Sequence, residues 1–121
     1  MKKILILSSL FGLLVITNCG DSSGTDPIDC TGVVATYNGS AKSLLNTNCA
    51  GSGCHSKVDK SAGIDLSDYT GASAYLKGSN NKFLCSINHE SGCVKMPEGS
   101  TKLDAASLKI LNCWVNSGYP Q

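Results

Sequence analysis

Apolar residues recur at helical spacing along much of the chain, whereas the alternation typical of strands is scarce. The clearest helix is predicted near the C-terminus, in LDAASLKILNCWVNSGYP. Asp104 is its expected N-cap, and Gly118 and Pro120 mark its end. Its apolar face follows the i, i+3, i+6, i+7 pattern and consists of Leu108, Leu111, Trp114 and Val115. The pattern predicts an all-α fold that ends with this helix.

Two shorter helices are predicted upstream. The first covers about residues 39–47, with Ser40 as its N-cap and with Leu44 and Leu45 facing inward. It leads directly into a pair of cysteines and a histidine.

The second short helix is expected over residues 73–77, where Gly78 would end it. The segment that follows, residues 79–101, is rich in Asn, Gly, Ser and Pro. These residue types favour turns over regular elements, so the segment is predicted to be a long ordered loop.

The N-terminus has the pattern of an export signal. Lys2 and Lys3 precede a mainly apolar run over residues 4–16, which suits a secretory signal and is short for a bilayer-spanning helix. The sequence ITNC that follows is similar to a bacterial lipobox, in which the cysteine becomes lipidated. That cysteine is Cys19.

The chain is therefore expected to have three parts. Residues 1–18 are a lipoprotein signal peptide, residues 19–29 a polar flexible tether, and residues 30–121 one small domain. Such a protein would be exported and lipid-anchored to a bacterial membrane, on its periplasmic or cell-surface side. The 10 basic residues, all lysines, nearly balance 9 acidic ones without forming a basic run, so no nucleic-acid partner is expected.

The seven cysteines carry more information than the charge does. With Cys19 assigned to lipid, six remain, and an oxidising compartment favours pairing them. Cys113 is predicted to lie off the apolar face of the last helix, turned away from the core. A segment lying over that helix would reach it, and Cys30 at the start of the domain is the expected partner. Cys85 and Cys93 are expected to close a short loop.

The stretch NTNCAGSGCHSK contains the candidate chemistry. It holds Cys49 and Cys54, and His55 directly follows the second of them. This leaves three interpretations: a disulfide, a zinc site that includes His55 or His89, or covalent attachment of a haem. In a c-type haem site two thiols add across the vinyl groups and the next histidine binds the iron. The usual gap between the cysteines is two residues, and here it is four.

Met96, in VKMPEGS, follows this motif and precedes the last helix. Taken together, LLNTNCAGSGCHS, AGIDLSDYTGASAYLKG and KMPEGSTKLDAASLKILNCWVNSGYP resemble the small c-type cytochrome modules of exported bacterial proteins. The resemblance implies a small cytochrome c-like helical fold with long ordered loops around one covalently bound haem c. It implies Cys49 and Cys54 as the thioether ligands, His55 as the proximal ligand and Met96 as the distal ligand.

An iron with both axial positions filled has no place for a substrate, so we expect an electron carrier and not an enzyme. Redox partner proteins and the membrane, through the lipid on Cys19, are the expected partners of a monomer. His89 is the second choice for the distal ligand. Two alternatives stay open: a sensor or peroxidase-like domain with open iron, and a haem-free, disulfide-stapled surface lipoprotein that acts as a binding module.

Overall fold

The computed structural model describes residues 28–121, and this part of the chain contains three α-helices and no strand. A π-helical turn, Tyr37–Ala41, runs into α1, Lys42–Asn48; a 3-10 turn, Ser61–Gly63, precedes α2, Tyr69–Ile87; and α3 is Ala105–Asn116. The all-α prediction is thus confirmed. The predicted signal peptide, Cys19 and most of the tether lie outside the described residues. Across residues 28–121, none of the helices has the length and apolarity needed to cross a membrane.

The first helical segment starts earlier than predicted, with a wider turn. Ser40, the predicted N-cap, lies inside the π-helical turn, and the cap is Thr36, whose hydroxyl accepts the Gly39 N–H at 3.0 Å. Glycine suits position 39 because a Cβ there would lie 2.8 Å from the same hydroxyl oxygen. Leu45 is fully buried as predicted, whereas Leu44 is half-buried against the core.

α2 is far longer than the predicted helix of residues 73–77. The backbone is distorted at Ser79, directly after Gly78, and then returns to helical geometry up to Ile87. The buried face continues across the distortion and consists of Ala72, Leu76, Phe83 and Ile87. Packing of this face outweighs the weak helix propensity of the Gly, Ser and Asn residues between them. The long loop therefore starts after α2, not at residue 79.

α3 agrees with its prediction. The Asp104 side chain caps it by accepting the Ser107 N–H at 2.9 Å, and all four residues of the predicted apolar face are buried. Cys113, predicted to be turned from the core, is only 3% exposed. It is buried because its disulfide holds the N-terminal segment of the domain against this side of the helix.

An amide pair joins α2 to α3. Asn112 is 3% exposed, and it exchanges side-chain hydrogen bonds with Asn88, the C-terminal cap of α2, at 2.9 and 3.3 Å. Each amide also donates to a carbonyl one turn back in its own helix. Buried polar groups need such partners, so the pair fixes the two helices in register.

The core is centred on Trp114, where the two ends of the described chain meet. The Pro120 carbonyl accepts both the Tyr37 N–H, at 2.8 Å, and the indole N–H of Trp114, at 2.9 Å. The Tyr37 ring lies between those of Trp114 and Tyr69, with centroids 6.0 and 5.4 Å away. These contacts hold the start of the helical domain against its C-terminal tail.

Candidate functional site

Two disulfides flank the candidate site, and both are the predicted pairs. Cys30–Cys113 spans 83 residues and ties the N-terminal segment to α3. Cys85–Cys93 spans 8 residues and joins the end of α2 to the loop that follows it. Each pair therefore restrains a different part of the fold.

Cys49 and Cys54 are free thiols, so the structure does not contain the disulfide that was one interpretation of this pair. Cys49 follows α1 and is 8% exposed within the core, whereas Cys54 is exposed. Burial, with a smaller contribution from Cys54, raises the pKa of the Cys49 thiol to about 11. Cysteines that react as thiolates have a lowered pKa and partial exposure, so Cys49 is poorly suited to redox exchange.

His55 is half-buried, and hydrogen bonds hold both its backbone and its ring. Its N–H donates to the Cys49 carbonyl at 3.0 Å, and its carbonyl accepts the Leu66 N–H at 2.8 Å. The ring Nδ1 lies 3.0 Å from the Ser61 carbonyl. A carbonyl only accepts, so this contact requires the Nδ1 proton and leaves Nε2 as the ring nitrogen that can bind a metal ion when the ring is neutral. Metal-binding histidines are oriented in this way.

The turn that supplies the Ser61 carbonyl has an unfavourable backbone. Lys60 and Ala62 adopt left-handed φ values of 43° and 54°, which costs a non-glycine residue roughly 1–2 kcal/mol. The Ser61 N–H also donates a hydrogen bond to the Cys54 carbonyl at 2.9 Å. Backbone strain of this kind concentrates at functional sites, and here it fixes the orientation of a candidate ligand.

We expect Ala62→Gly to raise the free energy of unfolding by about 1 kcal/mol, because glycine adopts a left-handed φ at little cost. Denaturant titration of the purified protein measures the change. The matched control is Ala74→Gly, at an exposed position inside α2, which should lower the same free energy by about 1 kcal/mol. Destabilisation by both substitutions would contradict strain at Ala62.

Met96 and His89 lie on the loop after α2 and contact each other. The ring Nε2 of His89 lies 3.0 Å from the Met96 carbonyl, and the Met96 N–H donates to the Ser86 carbonyl at 3.1 Å. The Met96 backbone is thus held on both sides, within a loop already closed by the Cys85–Cys93 disulfide. The contact occupies Nε2 of His89, whereas its Nδ1 makes no hydrogen bond within residues 28–121.

The predicted haem ligands lie in two separate segments of the chain. Residues 49–61 contain Cys49, Cys54 and His55, and residues 85–96 contain Met96. Between these two described segments we find no hydrogen bond. An open cleft of about 540 Å³ lies beside the turn after His55 and is lined in part by Lys57, Ile64 and Tyr75. None of the four predicted haem ligands lines this cleft.

Comparison of the chain with family models, with curated proteins and with solved structures gave no match. The resemblance to cytochrome modules therefore stays a prediction. The zinc interpretation loses support, because residues 28–121 contain no cluster of three His, Cys, Asp or Glu side chains suited to a metal ion.

The donors do fit a c-type haem, which needs two thiols and a histidine from one segment and one further axial ligand. Cys49 and Cys54 are unpaired, His55 has the ring orientation of a ligand, and the Met96 backbone is anchored. Sequence analysis missed the Ser61 carbonyl because a backbone acceptor has no residue signature. It also missed Asp59, for which the spacing S-x-x-D from Ser56 was the available signal.

Proposed function

We propose that this protein is an electron carrier that holds one covalently bound haem c, exported and lipid-anchored to a bacterial membrane. One observation carries the proposal. Among the six described cysteines, two stay outside disulfides, and the second of them, Cys54, directly precedes His55, whose ring Nδ1 lies 3.0 Å from a backbone carbonyl. A structural role alone requires neither free thiols in an exported domain nor a histidine ring held by a backbone carbonyl.

Each residue has a separate part in this proposal. Cys49 and Cys54 would form the thioethers that hold the haem, and Nε2 of His55 and the sulfur of Met96 would be the ligands of its iron. When bound, the haem supplies a couple between ferrous and ferric iron that moves one electron at a time. The bond from His55 to Ser61 keeps the imidazole oriented and raises its basicity as a ligand.

The same ligand set favours a carrier over an enzyme. Backbone hydrogen bonds and a disulfide restrain the Met96 loop, so displacement of the thioether by a substrate would require that loop to open. The partners would then be other redox proteins, met by a monomer that the lipid on Cys19 holds near the membrane.

Covalent haem attachment is the decisive test. The full chain is produced in a bacterium with haem c maturation machinery, purified, extracted with acidified acetone, and examined by visible spectroscopy. Wild-type protein should keep its haem after extraction, and Cys49→Ser/Cys54→Ser should lose it completely. Ser52→Ala is the control, because Ser52 lies between the two cysteines and its side chain makes no hydrogen bond in the structure. This variant should keep its haem as the wild type does. Wild-type protein without covalent haem would refute the proposal.

A second candidate is the haem-free surface lipoprotein that binds another protein. The two disulfides support it, because together with the core around Trp114 they stabilise a small domain without help from a cofactor. Purified wild-type protein that carries two titratable thiols and no haem would favour this candidate. A haem protein that lacks a sixth ligand would favour the sensor or peroxidase-like role.

A further inference from the structure

The bridge between Cys49 and Cys54 is two residues longer than usual for a haem-attachment motif, and most of it is exposed. It consists of small residues, and Gly53 adopts a left-handed φ of 76°. The Cys54 N–H donates to the Gly51 carbonyl at 3.1 Å. Small, exposed residues have much conformational freedom to lose, so a bridge of this length needs an additional restraint to place its second cysteine.

Asp59 provides the contact that supplies such a restraint. In the part of the chain described, it is the one side chain that hydrogen-bonds to the bridge: Oδ2 accepts the Gly53 N–H at 3.0 Å. The same oxygen accepts the Ser56 hydroxyl at 2.7 Å, and the Asp59 N–H donates to the Ser56 Oγ at 3.0 Å. The hydrogen bonds from Ser56 and Gly53 hold the pKa of the Asp59 carboxyl below its usual value.

The positions of these partners define a clamp. Gly53 directly precedes Cys54, and Ser56 directly follows His55, so Asp59 connects the two residues that flank the Cys54–His55 pair. Ser61, two residues after Asp59, contacts the same pair through its backbone. Its N–H donates to the Cys54 carbonyl, and its carbonyl lies within hydrogen-bond distance of the His55 ring.

Lys60 lies between these two sets of contacts, in the left-handed conformation. That conformation reverses the chain so that Asp59 and Ser61 reach the same pair from one short turn. The unfavourable backbone geometry and the carboxylate contacts therefore serve one arrangement, and neither is needed for the packing of the helices.

We propose that Asp59 is a positioning residue for haem attachment, holding the long bridge so that Cys54 and His55 act together; this inference rests on the proposed function. The contact compensates for the two extra residues of the bridge. The acceptor oxygen matters more than the charge, because what must be fixed is the Gly53 N–H. Asp59 itself binds neither haem nor iron.

The test compares Asp59→Ala, which removes the acceptor, with Asp59→Asn, which keeps an acceptor oxygen and removes the charge. Singly attached haem retains a vinyl group, which moves the α band of its pyridine complex to longer wavelength. Asp59→Ala should lower the ratio of doubly to singly attached haem about tenfold, which equals about 1.4 kcal/mol. In Asp59→Asn the same ratio should stay within about twofold of that of the wild type. If the charge of Asp59 were what mattered, the asparagine variant would not restore the ratio.

Glu98→Ala is the matched control, since it removes an exposed carboxylate that makes no hydrogen bond within residues 28–121. It should leave the ratio unchanged. The proposal would be overturned if Asp59→Ala had the same ratio of doubly to singly attached haem as the wild type. It would also be overturned if Asp59→Ala and Asp59→Asn lowered that ratio equally.

Amide hydrogen exchange separates this inference from the proposed function. In the purified chain without haem, Asp59→Ala should speed exchange of the Gly53 amide about tenfold, and Asp59→Asn should have a much smaller effect. Wild-type protein without covalent haem would refute the electron-carrier proposal alone. An unchanged Gly53 exchange rate in Asp59→Ala would refute the clamp, whether or not haem is attached.

Discussion

Removing the Cys30–Cys113 disulfide, as Cys30→Ser/Cys113→Ala, is expected to lower the free energy of unfolding by about 4.5 kcal/mol. The disulfide closes a stretch of 83 residues, and a cross-link that long strongly restricts the unfolded chain. Domains of this size are stabilised by only about 5–15 kcal/mol in total, so the loss would be at least about a third of the total stability. Alanine replaces Cys113 because that side chain is buried.

The short disulfide supplies the matched control. Cys85→Ser/Cys93→Ser opens a stretch of 8 residues and should lower the free energy of unfolding by about 2.5 kcal/mol. Urea titrations of the wild type and both variants, followed by tryptophan fluorescence from the buried Trp114, measure the differences. A greater loss from opening the short loop would contradict the chain-entropy explanation.

In the haem protein that we propose, Met96→Ala is expected to have a larger effect than any other single substitution outside the attachment motif. It removes the thioether, which stabilises reduced iron, so the reduction potential should fall. The fall should be on the order of a few tenths of a volt, within the roughly 0.8 V range that axial ligands span. The ferric charge-transfer band that marks an iron–thioether bond should disappear as well.

His89→Gln is the control for Met96→Ala. A glutamine amide keeps a donor for the Met96 carbonyl, which His89 now contacts at 3.0 Å, so both the potential and the thioether band should stay near those of the wild type. Persistence of the band in Met96→Ala would exclude Met96 as the ligand. A large change in potential with His89→Gln would instead assign the distal position to His89.

α3 was predictable because every local signal agrees. Asp104 is a good cap, Ala105 and Ala106 are strong helix formers, and the buried face has helical spacing. α2 was not, because Gly78 is a signal for a helix end and the following Ser and Asn residues support it. Phe83 lies beyond that break, and its burial against the core extends the helix. Tertiary packing of this kind has no local signal.

The candidate site also contains some features that the sequence predicts and others that it does not. Cys49, Cys54 and His55 lie within seven consecutive residues, so the motif identified them directly. The contacts that orient them involve backbone groups and left-handed residues at Lys60 and Ala62, which side-chain patterns do not reveal. The prediction that Cys113 is turned away from the core was wrong, because its side chain is only 3% exposed, whereas the prediction of Cys30 as its partner was correct.

The Cys30–Cys113 disulfide also has a mechanical consequence. Tension applied to the chain ahead of Cys30 passes through the S–S bond directly to α3, which is anchored by Trp114 in the core. The residues between the two cysteines then lie outside the load path and cannot be stretched while the bond is intact. A domain pulled between the residues ahead of Cys30 and its C-terminus would therefore bear the force at α3, while the segment with Cys49, Cys54, His55 and Met96 stays unloaded.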